Sequence, residues 1–313
     1  MILRISTGPH ILHKETTQSL MLHVIIALLP TTAAGIYFFG YRAALMIAIS
    51  VLTAVISEFV WQKLMKQKVR IADLSAVVTG LILALNLPAN APFWLPVVGS
   101  ALAIILVKQL FGGIGNNFMN PAMFARAALL ASWPVYMTKY MLPERVLFGS
   151  TAPVVGADTI ASATPLMTKQ WSTVDLLAGN IPGSIGEVCK VAILLGLAYM
   201  LFRGVITWHV PVCFVGSVML LSWLLGLDPV RSVLTGGVLF GAVFMATDYV
   251  TNPMNRLGQC IFGFMCGLIV MVIRKYGGYP EGVTYAILFM NCATPLIDRY
   301  TKRKIYGEVK KHA

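Results

Sequence analysis

Asp73-Leu74-Ser75-Ala76-Val77-Val78-Thr79-Gly80 is echoed later in the chain by Asp228-Pro229-Val230-Arg231-Ser232-Val233-Leu234-Thr235-Gly236. In both copies a Thr-Gly pair is expected to open a short apolar span that soon breaks. The first copy stops at Leu87-Pro88, and the second runs into Asp248 and Asn252-Pro253. If the two copies mark two halves of five spans each, the odd number turns the second half upside down. Inverted repeats with broken helices place binding sites near the middle of a bilayer. The alternative is chance likeness between Gly- and Val-rich spans, which leaves the spans in place without the repeat.

Outward from this pair, the composition excludes a soluble globule. The chain has 313 residues, of which 58% are hydrophobic and 12% charged, with a mean hydropathy of +0.78. That is the range of a polytopic membrane protein. Taking about 20 apolar residues per crossing, full-length spans are expected at 20–40, 42–62, 94–111, 187–203, 206–225 and 258–274. Shorter or broken ones are expected at 74–86, 121–133, 231–246 and 281–297. The fold class is therefore all-α and polytopic, with about ten transmembrane helices as two inverted five-helix repeats. The units are 1–133, a polar extracytoplasmic segment 134–186, 187–298, and a basic tail 299–313.

The net charge of +12 lies in short flanks between apolar runs, with no aromatic interleaving, so it marks topology and not nucleic acid. Lys63, Lys66, Lys68 and Arg70 follow the second span, and Arg299, Lys302, Arg303, Lys304, Lys310 and Lys311 follow the last. Both clusters belong on the cytoplasmic side. Ten spans then put both termini inside and residues 134–186 outside. Arg274 and Lys275 fall outside, against the rule. The first apolar run starts near Leu20 with no small-residue cleavage site behind it, so it is expected to remain as a span and not to be removed as a signal peptide.

Cys189, Cys213, Cys260, Cys266 and Cys292 contain no C-x-x-C pair and read as unpaired thiols in or beside spans. His10, His13 and His23 have no metal-ligand spacing, and no metal site is expected. There is no H-E-x-x-H, P-loop or dinucleotide fingerprint. The chain has no means of its own to bind NAD or ATP, so it holds no self-contained active site.

Two segments carry polar chemistry inside apolar surroundings. Phe111-Gly112-Gly113-Ile114-Gly115-Asn116-Asn117-Phe118-Met119-Asn120-Pro121-Ala122 packs glycines and asparagines at the mouth of a short span. Irregular backbone at membrane depth occurs only where protein or water satisfies it, which marks a lined cavity or a cofactor seat. Pro121 suits a first helical position with Asn120 as cap, and the amides behind it would suit an anionic or carbonyl-rich ligand. A tight turn that needs glycine for geometry alone is the plainer reading. In the second half, Ala246-Thr247-Asp248-Tyr249-Val250-Thr251-Asn252-Pro253 places an ionisable group where insertion costs on the order of 3 kcal/mol. Asp248 is thus a candidate to bind a cation, relay a proton or bond a ligand, or else to cap the next helix. Tyr249 and Phe244 are candidates to stack on a flat ligand. Arg126 is expected to pair with a carboxylate or to snorkel, and Glu58 to sit at the interface.

The longest polar stretch contains Asp158-Thr159-Ile160-Ala161-Ser162-Ala163-Thr164-Pro165. It resembles the acceptor site of the RnfD and NqrB family, at which a flavin transferase esterifies FMN phosphate onto a threonine. Asp158, Ser162, Ala163 and Thr164 match that family's pattern; Ala161 lacks the hydroxyl usual three residues before the acceptor. Pro165 favours an extended backbone at Thr164, which presents its hydroxyl. Lys139, Arg145 and Lys169 are the cations at hand for a phosphodiester. The Gly-Gly-x-Gly and Asn-Pro-Ala runs and the closing segment Asn291-Cys292-Ala293-Thr294-Pro295-Leu296-Ile297-Asp298 extend the resemblance over nearly the whole chain. The absence of a longer N-terminal extension places it nearer the RnfD branch.

The resemblance implies a subunit of the Rnf complex in a bacterial or archaeal cytoplasmic membrane, an oxidoreductase that couples ferredoxin and NAD to sodium or proton translocation. It implies FMN bound covalently to Thr164 through a phosphoester, and a second, noncovalent flavin, riboflavin, nearer the cytoplasmic side. Gly112, Gly113, Asn116, Asn120 and Asp248 are the expected cofactor-seat residues beside Asp158, Ser162, Ala163 and Thr164. The implied partners are the Rnf subunits A, B, C, E and G, a flavin transferase during maturation, and membrane lipid. Such flavins would carry the chemistry while the protein sets position and polarity. Asn120-Pro121-Ala122 also resembles the Asn-Pro-Ala of water channels, whose second copy is missing; the closest is Asn252-Pro253-Met254. The competing classes are a channel or transporter for a small solute without a redox cofactor, and a cofactor-free scaffold.

Overall fold

The computed structural model describes residues 16–143, 171–277 and 281–301, and every regular element among them is helical. The first of these elements is α1 (Thr17–Leu64), capped where the Thr16 hydroxyl accepts from Ser19 N. A straight helix of its 48 residues would be about 72 Å long, more than twice the ~30 Å hydrocarbon layer. It is not straight: Gly40 at φ 66° and ψ −154° interrupts it, between the two spans expected there. A positive φ of that kind suits glycine and few other residues.

Next come α2 (Ser75–Leu85), α3 (Trp94–Leu102), which continues as a π-helix over Ala103–Gln109, α4 (Pro121–Ser132) and α5 (Pro134–Thr138). After α6 (Thr173–Ala178) the second half contributes α7 (Lys190–Phe202), α8 (His209–Leu224), α9 (Pro229–Leu234) and α10 (Val238–Phe240). A π-helical turn over Gly241–Met245 extends α10, and α11 (Arg256–Tyr276) and α12 (Val283–Thr301) complete the series. Each of the ten expected stretches overlaps helix, though 231–246 does so only in short pieces broken at Thr235–Gly237. Among the described residues two helices, α1 and α11, are long and apolar enough on their own to cross a membrane. Large apolar side chains stand exposed along several helices, among them Leu52, Leu195, Trp223 and Phe289, the pattern of helices bathed in lipid.

The two sequence echoes behave differently. Asp73 Oδ1 accepts from Ser75 N and Oγ at the start of α2, and Asp228 Oδ1 accepts from Val230 N and Arg231 N at the start of α9. Both aspartates thus hold a helix start. The first Thr-Gly pair, however, opens nothing, and the second stands between the end of α9 and the start of α10. Gly80 lies inside α2, where a Cβ would come 2.9 Å from Val51 Cα and where the Ser50 hydroxyl donates to Gly80 O. It is a close-approach position. Thr235-Gly236 instead ends α9, with Gly236 at φ 67°.

The 11 residues of α2 cover only about 16 Å, so its last carbonyls need partners. Residues 184–186 supply them: Gly186 N donates to Leu85 O and Ile185 N to Leu87 O, beside an isolated antiparallel bridge between Pro88 and Ser184. The carbonyl end of α9 is met by side chains. The Arg274 guanidinium donates to Ser232 O and Thr235 O, and Lys190 Nζ to Gly236 O. Cations at a helix C-terminus complement its dipole. Arg274, against the topology rule when read as a surface charge, is engaged in the fold.

Candidate functional site

Asn120 acts as the expected cap of α4: its Oδ1 accepts from Ala122 N and Met123 N, with Pro121 at the first helical position. Phe124 N donates to Asn120 O and Pro121 has no N–H, so this helix start keeps no spare amide for an anion. What Asn120 offers is its side chain. Nδ2 donates to Met245 O at 3.3 Å, at the end of the π-helical turn in the second half. Asn291, in the amide orientation that satisfies both neighbours, accepts from Asn120 N and donates to Ile287 O.

Asn120 and Asp248, expected on unrelated grounds, line one cavity of about 760 Å³ counted out to its mouth. Its apolar walls come from Met21 and Val24 of α1, Val78 and Ile82 of α2, Met200 of α7, and Ile206. Phe244 and Tyr249 also line it, as do the polar residues Ser75, Thr79, Lys108, Asn117, Thr247 and Asp248. A mostly apolar pocket with a few convergent polar groups is the form of a ligand or cofactor seat. Asp248 caps no helix: it accepts from Thr251 Oγ1, and α11 starts later, after Asn255. The Tyr249 hydroxyl donates to Val205 O.

A second cavity, about 730 Å³, adjoins the first and shares Ile114 with it. Glu58, Gln62, Gln67, Lys68, Arg70, Asp73, Gln109, Gly112 and Gly113 line it. Gly112 and Gly113 have φ 104° and 90°, so glycine is required there by geometry. Asn116 is exposed and reaches back to Gly112 O, holding this turn and not the first cavity. Between the cavities lies an ion pair that no local sequence pattern announces. Lys108 Nζ is 2.8 Å from Glu58 Oε1 and donates to Ser75 Oγ at 2.6 Å, while Gln109 Nε2 donates to Glu58 Oε1 at 2.7 Å. Glu58 is 1% exposed, buried and paired where an interfacial position was expected.

At the far end of α2 lies a second charged group. Arg126 Nη1 donates to Asn86 Oδ1 at 3.1 Å, and Nη2 to Glu281 Oε2 at 2.5 Å. Arg126 therefore pairs and does not snorkel. Glu187 Oε1 accepts from Ser184 N. Glu187 Oε2 would lie 3.0 Å, and Arg126 Nη1 3.8 Å, from a Cβ on Gly237. With Lys190 and Arg274 this makes a buried cluster contributed by both halves. Glu187, Lys190 and Glu281 each fall at the start of an expected span, where a charge reads as interfacial.

Asp158, Ser162, Ala163 and Thr164 lie outside the described residues, as do Arg145, Lys169, His10 and His13; Lys139 is exposed. His23 bonds to Tyr199 and Arg203. All five cysteines are free; Cys266 is buried and Cys292 exposed. No group of three potential metal ligands occurs among the described residues.

A family model described as NQR2, RnfD, RnfE family matches residues 4–307. Among curated proteins, the D subunit of the Na(+)-translocating ferredoxin:NAD(+) oxidoreductase complex of Acetobacterium woodii is 48% identical over 99% of this chain and 98% of its own length. The D subunit of the ion-translocating oxidoreductase complex of Pectobacterium atrosepticum is 38% identical over 98% of this chain and 99% of its own. The D subunit of the proton-translocating ferredoxin:NAD(+) oxidoreductase complex of Clostridium ljungdahlii is 37% identical over 98% and 96%.

Proposed function

This chain belongs to the NQR2, RnfD, RnfE family, and we propose that it is the RnfD-type membrane subunit of an ion-translocating ferredoxin:NAD oxidoreductase complex, an electron carrier coupled to ion movement. The observation that carries this reading is the end-to-end match to relatives bearing that name, at 48% identity for the first of them. The partners are the other Rnf subunits, A, B, C, E and G.

Ten spans in two inverted halves, with both termini cytoplasmic and the Thr164 segment outside, belong to the same proposal. They are supported by helix at each expected span and by the basic residues 63–70. The internal engagement of Arg274 accounts for one of the two charges that argued against this orientation; the other, Lys275, is exposed.

Thr164 is the proposed anchor for FMN through a phosphoester, added by a flavin transferase. The cavity between Asn120 and Asp248 is the proposed seat of the noncovalent flavin, riboflavin. Its residues fit that group: Phe244 and Tyr249 offer rings to a flat heterocycle, and Lys108, Asn117 and Asn120 offer donors to its carbonyl and imino edge. Asp248 offers an acceptor, and Val78, Ile82 and Met200 exclude water. A bound flavin would supply one- and two-electron transfer; the protein's part is to hold, orient and keep dry. The seat abuts the second cavity, which holds Lys68 and Arg70, as a flavin on the cytoplasmic side should.

Flavin fluorescence of the denatured chain in a gel, compared with Thr164→Val, tests the anchor. Fluorescence in the parent chain and none in the variant is expected. No fluorescence in either form sinks the covalent flavin; if the native chain also yields no flavin on acid extraction, a cofactor-free conduit or scaffold is left.

A further inference from the structure

α8 and α11 run parallel and in close contact. A Cβ on Gly263 would lie 2.8 Å from Val210 O and 3.0 Å from Cys213 Cβ, and one on Gly267 would strike Ser217 Oγ. Further along, Ser222 Oγ donates to Met271 Sδ at 3.5 Å. Small residues let helix backbones approach in this way. Cys260 stands one turn before Gly263 and so shares its face of α11. It meets Cys213 of α8, with the two thiols within hydrogen-bonding reach of each other. Both cysteines are free and half-buried. Around them, the segments that border the first cavity are tied to the starts of the same two helices. The Tyr249 hydroxyl donates to Val205 O, just ahead of α8. Thr207 Oγ1 donates to Gln259 Oε1 at 2.7 Å, and Gln259 Nε2, next to Cys260, donates to Pro253 O at 3.1 Å. Ile206, Thr247, Asp248, Tyr249 and Val250 all line that cavity.

We propose that Cys213 and Cys260 are a modification site, a dithiol that hydrogen peroxide converts to a disulfide, and that the new bond holds the cavity-lining segment 247–255 in place. One sulfur attacks a peroxide oxygen, breaking the O–O bond and releasing water, and is left as a sulfenic acid. The second sulfur then attacks the first and expels its hydroxyl as another water. Two thiols and one peroxide thus give one disulfide and two waters, the sulfurs being oxidised by two electrons and the peroxide reduced by two. Thiol exchange reverses the step. Apolar surroundings slow thiolate chemistry, so the pair stays reduced under reducing conditions and closes on sustained exposure to peroxide. In the reduced chain the starts of α8 and α11 are linked to the cavity segment by hydrogen bonds alone. The disulfide adds a covalent tie between those starts and takes away the freedom of one to part from the other. This inference does not depend on what occupies the cavity.

The test uses the full chain in lipid nanodiscs, reduced with a phosphine and then treated with hydrogen peroxide. Remaining thiols are alkylated, and the digest is mapped without reductant by mass spectrometry. The expected product is a pair of peptides joined through Cys213 and Cys260, lost on phosphine treatment and absent from Cys213→Ser and Cys260→Ser. Hydrogen exchange of residues 247–255 is expected to slow by about tenfold in the oxidised parent, to recover on reduction, and to be unmoved by peroxide in both serine variants. Thiols still fully alkylated after peroxide, oxidation to sulfinic acid without joining, or links chiefly to Cys189, Cys266 or Cys292 overturn the site. Joined peptides with unchanged exchange overturn the latch. If a serine variant fails to fold, the parent's reduced and oxidised states are compared directly and decide both points.

Discussion

Asn120 Nδ2 donates to Met245 O at 3.3 Å, so one carboxamide both starts α4 in the first half and holds the end of the broken helix in the second. The two functions separate by substitution. Asn120→Asp keeps an oxygen for Ala122 N and Met123 N but sets a carboxylate oxygen against the Met245 carbonyl. Asn120→Ala loses the cap as well, worth about 1 kcal/mol. The expected order of thermal stability of the purified chain is parent, then Asp, then Ala, with acid-extractable flavin reduced in both variants. Full flavin content in Asn120→Asp would detach Asn120 from the seat.

Arg126 and Glu281 form a buried pair across the halves. Removing one partner strands the other and typically costs about 3–5 kcal/mol, whereas replacing both is often near neutral. Arg126→Met and Glu281→Leu are each expected to lower the melting temperature or the yield of assembled complex sharply, and the double variant to recover most of the loss. Additive losses in the double would mean that each residue acts through other partners; Asn86, which Arg126 also holds, is the first to examine.

How much of this was legible in the sequence depended on how far apart the interacting residues lie. Asn120-Pro121 announces a helix start locally, and Asp248 stands out by its cost in an apolar run. Both proved to line one cavity. Glu58 and Lys108 are far apart along the chain, each beside a span end, and nothing local distinguishes a paired charge from an interfacial one. Arg274 was misread as a topology signal because its partners are carbonyls, which leave no trace in side-chain patterns. The Thr-Gly echo joins two positions with different work, since Gly80 serves close packing and Gly236 a bend.

Gly196 and Gly216 offer a contrast within neighbouring helices. A Cβ on Gly196 would collide with Ala27 O and lie 2.7 Å from Phe244 Cζ, while Gly216 has open space around it. Gly196→Ala is expected to push α7 from α1, displace Phe244 and lower flavin content; backbone cannot yield as a side-chain tip would. Gly216→Ala should be neutral or slightly stabilising, given glycine's helix penalty of up to about 1 kcal/mol. Equal behaviour of the two variants would contradict the α1–α7 contact.

Arg274 gives a separable test of orientation. Because its guanidinium is engaged by Ser232 O and Thr235 O, Arg274 does not hold the turn after α11 to the cytoplasmic side. Tyr276, at the end of that helix, is 75% exposed. A Tyr276→Cys chain is expected to react with a membrane-impermeant maleimide added outside intact cells, against a parent background that keeps its native thiols. Labelling seen only in inverted vesicles would reverse the proposed topology. Arg274→Ala should destabilise the chain without changing the side on which that label is found.

The hydrogen bonds from Ile185 and Gly186 to Leu87 and Leu85 impose an order on biogenesis. A ribosome delivers the carbonyls long before their donors, so the first half leaves the exit tunnel with a frayed seam that only the later segment can stitch. Until then the nascent chain must shelter that seam in the insertion machinery or in water, and a fragment ending at residue 133 would never close it. Translation, not only topology, therefore makes the earlier half wait upon the later one.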